Sequence, residues 1–274
     1  MSWRRAKEKH RRRRRLQPFE YAFAAVLLLC ALFVAWNLWA ILAGGIPHLG
    51  RALASAETSF ALRLSLITTT VSSLLCMALA IPSAYCITSA PLPGRRFLRT
   101  LVELPMSLPY LVLGLALLTV FSSPFGKALK EAGLRIVFDP KGIVAAHLLV
   151  NLPFGVHLVS DAFERLDPEL ALTAQTQGAT RFQAFHYITL PLCRPALVSA
   201  FLLAWSRGLG EFGATLMLVG VTRMKTETLP ASIYLNISTG DNGMALATAV
   251  LLLFLSLAAQ GVGRLAGGKG AEFP

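Results

Sequence analysis

Six charge-poor apolar blocks, each near the length of a bilayer crossing, constrain this chain more than any other feature. They run from Tyr21 to Gly45, Leu64 to Gly94, Leu104 to Gly126, Gly142 to Ser160, Pro195 to Val221 and Asn242 to Gly263. A helix rising 1.5 Å per residue needs roughly 20 residues to cross a hydrocarbon core of about 30 Å. The blocks do not alternate apolar and polar residues, which argues against a β-barrel. Only 15% of the chain is charged and 55% is hydrophobic, whereas a water-soluble domain carries about 25% charged residues. The expected fold is an all-α integral membrane protein of about six transmembrane helices.

Charge orients it. Arg11 to Arg15 form an unbroken basic run, and the net charge is +12. Such a run can bind nucleic acid, but directly before an apolar helix it reads as a cytoplasmic tail held near anionic headgroups. With the N-terminus inside, seventeen Lys and Arg fall on the cytoplasmic side and eight outside; without the tail the sides tie at eight. Orientation therefore rests on the tail. The first block is too long for a cleavable signal and reads as an anchor. Outside, Ile46 to Ser59 reads as a short interfacial helix. Pro82 is a candidate kink in the second block, and Pro105 and Pro109 interrupt the third. The expected organisation is a basic tail over 1–18, a first helix and outer loop over 19–59, a transmembrane domain over 60–264, and a short cytoplasmic tail over 265–274.

The longest inner segment, 161–194, is the informative one. Asp167 is a good N-cap, Pro168 suits the first helical position and Glu169 complements the helix dipole. The helix should run through Leu170, Leu172, Thr173, Ala174 and Gln175 and stop at Gly178, followed by Ala179. So short a helix is marginal alone and must gain stability by packing on its own domain or on a partner.

Gly178, nine residues, Ile188, then Leu190-Pro191 match the loop motif of ABC importer permeases, with Pro168 upstream and Pro195 downstream also in register. The chain resembles the membrane subunit of type I ABC importers over roughly residues 60 to 264. It departs from the motif where the family has Glu-Ala-Ala and this chain has Leu172-Thr173-Ala174, which removes a carboxylate but keeps a strong helix former. The resemblance implies a MetI-like permease fold in the cytoplasmic (inner) membrane of a bacterium or archaeon. It implies partners as well: a second permease subunit in a homodimer, two cytoplasmic ABC ATPase subunits and an extracytoplasmic substrate-binding protein. No cofactor is expected in this chain; ATP and Mg belong to the ATPase. The short helix would dock on that ATPase through Glu169, Leu170, Leu172, Thr173, Ala174, Gln175, Gly178 and Ala179, with Ile188, Leu190 and Pro191 completing the loop motif.

Gly210-Glu-Phe-Gly-Ala-Thr-Leu-Met-Leu-Val-Gly220, Thr228 to Tyr234 and Asn236 to Asp241 are similar to the branch serving molybdate, tungstate and sulfate. The resemblance therefore implies import of a tetrahedral oxyanion, molybdate or tungstate first, with sulfate, thiosulfate or another solute as alternatives. A stand-alone secondary transporter or channel is the alternative from another class. Coupled carriers usually bury several ionisable groups in their spans; here Arg207 and Glu211 are the only charges within a block. On a continuous helix their i, i+4 spacing puts them on one face. They would either neutralise each other against neighbouring helices or, with Thr215, line the pathway or gate, where an arginine attracts an anion. His147 and Asn151, also i, i+4, are expected to make interhelical hydrogen bonds. The five histidines show no metal-ligand pattern, so no metal is expected. The sequence has no Walker-type phosphate loop and no catalytic constellation, so any enzymatic step is expected in a partner.

Overall fold

The computed structural model describes residues 17–266. The two expected tails, 1–18 and 265–274, lie almost wholly outside them. Among the described residues every regular element is helical: α1 (Pro18–Gly45), α2 (Leu49–Ala54), α3 (Ala56–Thr88), α4 (Arg95–Glu103), α5 (Tyr110–Ser122), α6 (Pro124–Glu131), α7 (Pro140–Glu164), α8 (Pro168–Thr176), α9 (Arg181–Ala184), α10 (Leu190–Leu209), α11 (Gly213–Val219), α12 (Leu229–Ser238) and α13 (Asn242–Ala266). Five helical segments are long and apolar enough to cross a bilayer, and the bent pair Arg95–Ser107 with Tyr110–Ser122 makes a sixth crossing if counted as one. Inner and outer ends are named here by the charge-based orientation.

The core is α3 laid against α7. On α3, Ala61, Ser65, Thr69, Ser72, Cys76 and Ala80 recur at helical spacing on the buried face. Small residues let membrane helices approach closely, which replaces the missing hydrophobic drive with packing. The approach is tight at Gly155 of α7, where an added Cβ would lie 2.7 Å from Cys76 Sγ. Pro82, expected to kink α3, sits inside a helix that continues from Ala56 to Thr88. Two apolar clusters flank this seam. One joins Met77, Val156, Val159, Phe163 and Cys193 toward the inner end; the other joins Leu113, Ile143, Val150, Ala214 and Leu218 toward the outer end. α1 stands apart, buried only at its last residue, Gly45, where a Cβ would lie 2.5 Å from the Leu246 carbonyl oxygen of α13. The expected outer interfacial helix is α2, tied to the start of α13 by Arg51 and Asp241 at 2.7 Å.

Two of the expected spans are broken. The third block does not form one helix. α4 and α5 differ in direction by 112°, because Leu108 is extended (φ −95°, ψ 143°) ahead of Pro109. A residue before proline is pushed out of the α region, and proline itself supplies no amide to continue the ladder. The fifth block, expected as one span from Pro195 to Val221, also differs. Its helix begins far earlier, at Arg181, and stops at Leu209; Gly210 to Phe212 are non-helical before α11 starts at Gly213.

Candidate functional site

Two places carry the residues singled out above. The first is α8 at the inner end. Asp167 caps it as expected, its Oδ1 accepting from the Glu169 amide at 2.9 Å. At the other end Gly178 takes φ +96°; its amide donates to Gln175 O at 3.0 Å and the Ala179 amide to Ala174 O at 3.0 Å. That is the Schellman pattern, which demands a left-handed residue and so a glycine. The chain restarts at once: Thr180 and Gln183 form a reciprocal capping box at 3.2 and 2.8 Å, and α9 begins.

The rest of the motif has a local physical origin too. Pro191 has no amide for the Tyr187 carbonyl, and the helix widens into a π turn over Phe185–Thr189 before α10. This turn aims Phe185 between Tyr85, 4.7 Å away, and Phe163, 6.0 Å away. Ile188 faces a groove of about 750 Å³ between α8, the end of α3 and the end of α7. Leu190 is half-buried and Pro191 exposed. On α8 itself Ala171, Ala174 and Gln175 turn partly inward, while Glu169, Leu170, Leu172 and Thr173 face outward. Leu170 and Leu172 are 46% and 57% exposed. The two leucines sit on different faces of this short polar-capped helix, and both also border the groove beside it, so apolar surface is offered on more than one side of α8.

The second place is where the two helix breaks meet. Tyr110 opens α5, and Gly213 opens α11 with its absent Cβ only 3.2 Å from Tyr110 Cβ. Arg207, in the last turn of α10, donates to the Tyr110 hydroxyl, and its guanidinium lies 3.9 Å from the centroid of the Phe154 ring. The expected Arg207–Glu211 pair does not form: among the described residues no carboxylate lies within 4.0 Å of Arg207. The reason is the break, since i, i+4 geometry requires a helix running through both residues. Glu211 instead turns inward, 4% exposed, and its Oε1 accepts from the Ala214 amide at 2.7 Å, capping α11. Arg207 is thus held by an aromatic face and a phenol, with no carboxylate in ion-pair contact. Thr215 of α11 is buried, 1% exposed. Asn151 makes its expected interhelical bond, Nδ2 to Ala204 O at 3.1 Å. His147 does not: neither ring nitrogen has a partner among the described residues.

Tyr110 and Phe154 were invisible as site residues in the sequence. Pro109 was the available signal for Tyr110, since it marks a new helix start; no local signal points to Phe154.

Residues 78–267 match the family described as the binding-protein-dependent transport system inner membrane component. The sulfate transport system permease protein CysT of Salmonella typhimurium is 36% identical over 176 residues, 64% of this chain and 64% of that protein. The molybdenum transport system permease protein ModB of Mycobacterium bovis is 34% identical over 219 residues, 79% of this chain and 83% of that one. The molybdate/tungstate transport system permease protein WtpB of Thermococcus kodakarensis is 32% identical over 200 residues, 72% and 76% of the two chains. Among solved structures, a chain of a bacterial alginate ABC transporter in complex with a pentasaccharide-bound periplasmic protein superposes with TM-score 0.73 at 21% identity, covering 92% of this chain and 97% of that one. A chain of the inward-facing MetNI methionine ABC transporter gives TM-score 0.60 at 20% identity, over 74% and 91%. The family match covers more than half of the chain and the solved structures share its all-helical fold; this chain belongs to the family of binding-protein-dependent transport system inner membrane components.

Proposed function

We propose that this chain is the permease subunit of an ATP-driven importer of a tetrahedral oxyanion, molybdate or tungstate. The observation that carries the reading is α8, a doubly capped helix presenting Leu170 and Leu172 to the inner side. It docks on a cytoplasmic ATPase, which holds ATP and Mg, and two such ATPases serve a homodimer of this permease. An extracytoplasmic binding protein selects the anion and delivers it to the outer face. Closure of the ATPase pair then moves the α8 helices as rigid bodies and switches the permease between inward- and outward-facing states. The membrane is the cytoplasmic one.

The oxyanion class is supported by the relatives, which are named for sulfate, molybdenum and molybdate/tungstate, and by Arg207, free of ion-pair contact among the described residues, where two discontinuous helices meet. Substrate sites in transporters gather at such breaks, and a half-buried cation with no carboxylate in ion-pair contact favours an anion. Molybdate uptake into proteoliposomes holding the complete importer tests the reading. The expected result is ATP-dependent uptake that excess tungstate suppresses and excess sulfate suppresses less. Equal suppression by sulfate moves the assignment to the sulfate alternative, and uptake by the permease without any ATPase would place it among stand-alone carriers.

Arg207→Leu keeps an apolar stem in the helix and removes the guanidinium that lies against Phe154, and with it the charge. Uptake is expected to fall about tenfold or more, equivalent to about 1.4 kcal/mol of lost anion stabilisation, while the complex still co-purifies. Uptake at the unmodified rate would take Arg207 out of the pathway.

A further inference from the structure

α8 and the paired helix breaks lie far apart. Arg207 is twenty-six residues along from Arg181, about 39 Å at 1.5 Å per residue. We propose that α4 is the lever joining them and that Arg99 is its pivot, a positioning residue that converts movement of α8 into movement of the breaks. This inference rests on the importer reading above.

The linkage can be followed bond by bond. α7 ends at Glu164, and only Arg165 to Asp167 separate it from α8. Arg99 of α4 grips that end of α7. Its Nη1 lies 2.8 Å from Glu164 Oε1, its Nη2 3.9 Å from Asp161 Oδ1, and its Nε 3.1 Å from Glu103 Oε1 on α4 itself. His157 of α7 completes the ring, with Nδ1 3.1 Å from Glu103 and Nε2 3.8 Å from Asp161. Beyond Glu103 the chain makes one tight turn, Leu104–Ser107, stiffened by Pro105, and passes through Pro109 into Tyr110. Tyr110 holds Arg207 and abuts Gly213. Each step from α8 to the breaks is therefore a short covalent connection, an ion pair or a direct contact.

The shape of α4 suits a lever. Phe97 and Leu101 are 70% and 52% exposed, an apolar stripe one helical turn apart, while Val102 packs on the inner cluster. Such a helix lies in the interface and can slide there at little cost. Apart from Arg99, its hold on the body is the Glu103–His157 contact at 3.1 Å, Val102 on the inner cluster and Arg95 Nη1 at 3.4 Å from Thr88 O. Ion pairs this exposed contribute little to stability, but Arg99 faces three carboxylates at once. Without it Glu103, Asp161 and Glu164 repel one another, and α4 keeps only Glu103–His157 and Val102 as its ties toward α7.

The test uses the complete importer in proteoliposomes and measures molybdate taken up per ATP hydrolysed. Arg99→Gln is expected to leave basal hydrolysis unchanged and to lower the uptake-to-hydrolysis ratio about fivefold or more, with Arg99→Lys recovering part of the loss because it restores charge without the fork. A spin-label pair on α4 and the end of α7 supplies the second readout. It should keep one distance through the ATP cycle in the unmodified importer and spread to several in Arg99→Gln. An unchanged ratio, or a distance that already varies in the unmodified importer, overturns the lever. If Arg99→Gln lowers the yield of complex, Glu164→Gln decides, since it leaves Arg99 paired with Glu103; a ratio about twofold lower or less supports the proposal, and an unchanged one overturns it. Failure of the unmodified importer to take up any anion with ATP overturns the importer reading itself and the lever with it.

Discussion

Truncating Leu170 and Leu172 together to alanine is expected to strip the ATPase from the permease and to end uptake. Both side chains are exposed in the isolated subunit, so the change opens no cavity, and alanine is the strongest helix former, so α8 persists between its caps. What is lost is apolar area that the proposed docking covers. Each truncation removes three carbon groups at about 0.8 kcal/mol per buried group. Together that is about 4 to 5 kcal/mol, or about a thousandfold or more in affinity. Co-purification of the ATPase with the tagged permease, compared at matched expression, reads the effect. A double variant that retained its ATPase in full would show that α8 docks through something other than its leucines. Leu172 stands where the resembled motif has glutamate, so the proposed contact is apolar at that position.

The second large effect is expected at Gly114, and it acts on folding instead. α5 crosses α11 so closely there that an added Cβ would lie 2.6 Å from Ala214 O, 2.7 Å from Ala214 Cα and 2.8 Å from Met217 Cβ. Two of those atoms are main chain and cannot rotate away. Gly114→Val must therefore part the two helices. Overpacking of this kind costs about 1 to 3 kcal/mol, and here it adds to the contacts that Leu113, Ala214 and Leu218 lose. The thermal midpoint in detergent should fall by several degrees or the folded yield collapse. Gly50→Ala is the control: nothing lies within 4 Å of its absent Cβ, and alanine within α2 should be neutral or mildly stabilising. Equal behaviour of the two variants would mean that α5 and α11 do not pack as described.

The contrast between α8 and the breaks explains how much was legible beforehand. α8 was readable almost to the residue because its determinants are local. An aspartate cap, a proline at the first position and a glycine in the left-handed region act over a few residues and need no tertiary partner. The existence of membrane helices was readable for the same reason, since hydropathy summed over a span needs no knowledge of neighbours. Pro109 announced its break. The break at Gly210 to Phe212 did not announce itself, because glycines within an apolar block serve equally for close packing, and Gly208 indeed sits 2.9 Å, at its absent Cβ, from Thr69 Cγ2. Reading through that break produced the Arg207–Glu211 pair that the structure separates.

From its sequence alone this protein was already a multi-helix membrane chain with a capped helix in the loop before its fifth span, since transfer free energy and end-capping are decided within a segment. Only the tertiary structure decided that the fifth span too is discontinuous, that the two breaks meet around Arg207, and that Arg99 ties α4 to the root of α8. Those outcomes depend on residues tens of positions apart arriving at the same place, where one backbone approaches another through a missing Cβ and a charge finds either a carboxylate or an aromatic face. Distances of that kind arise from the packing of whole helices, which no segment specifies by itself.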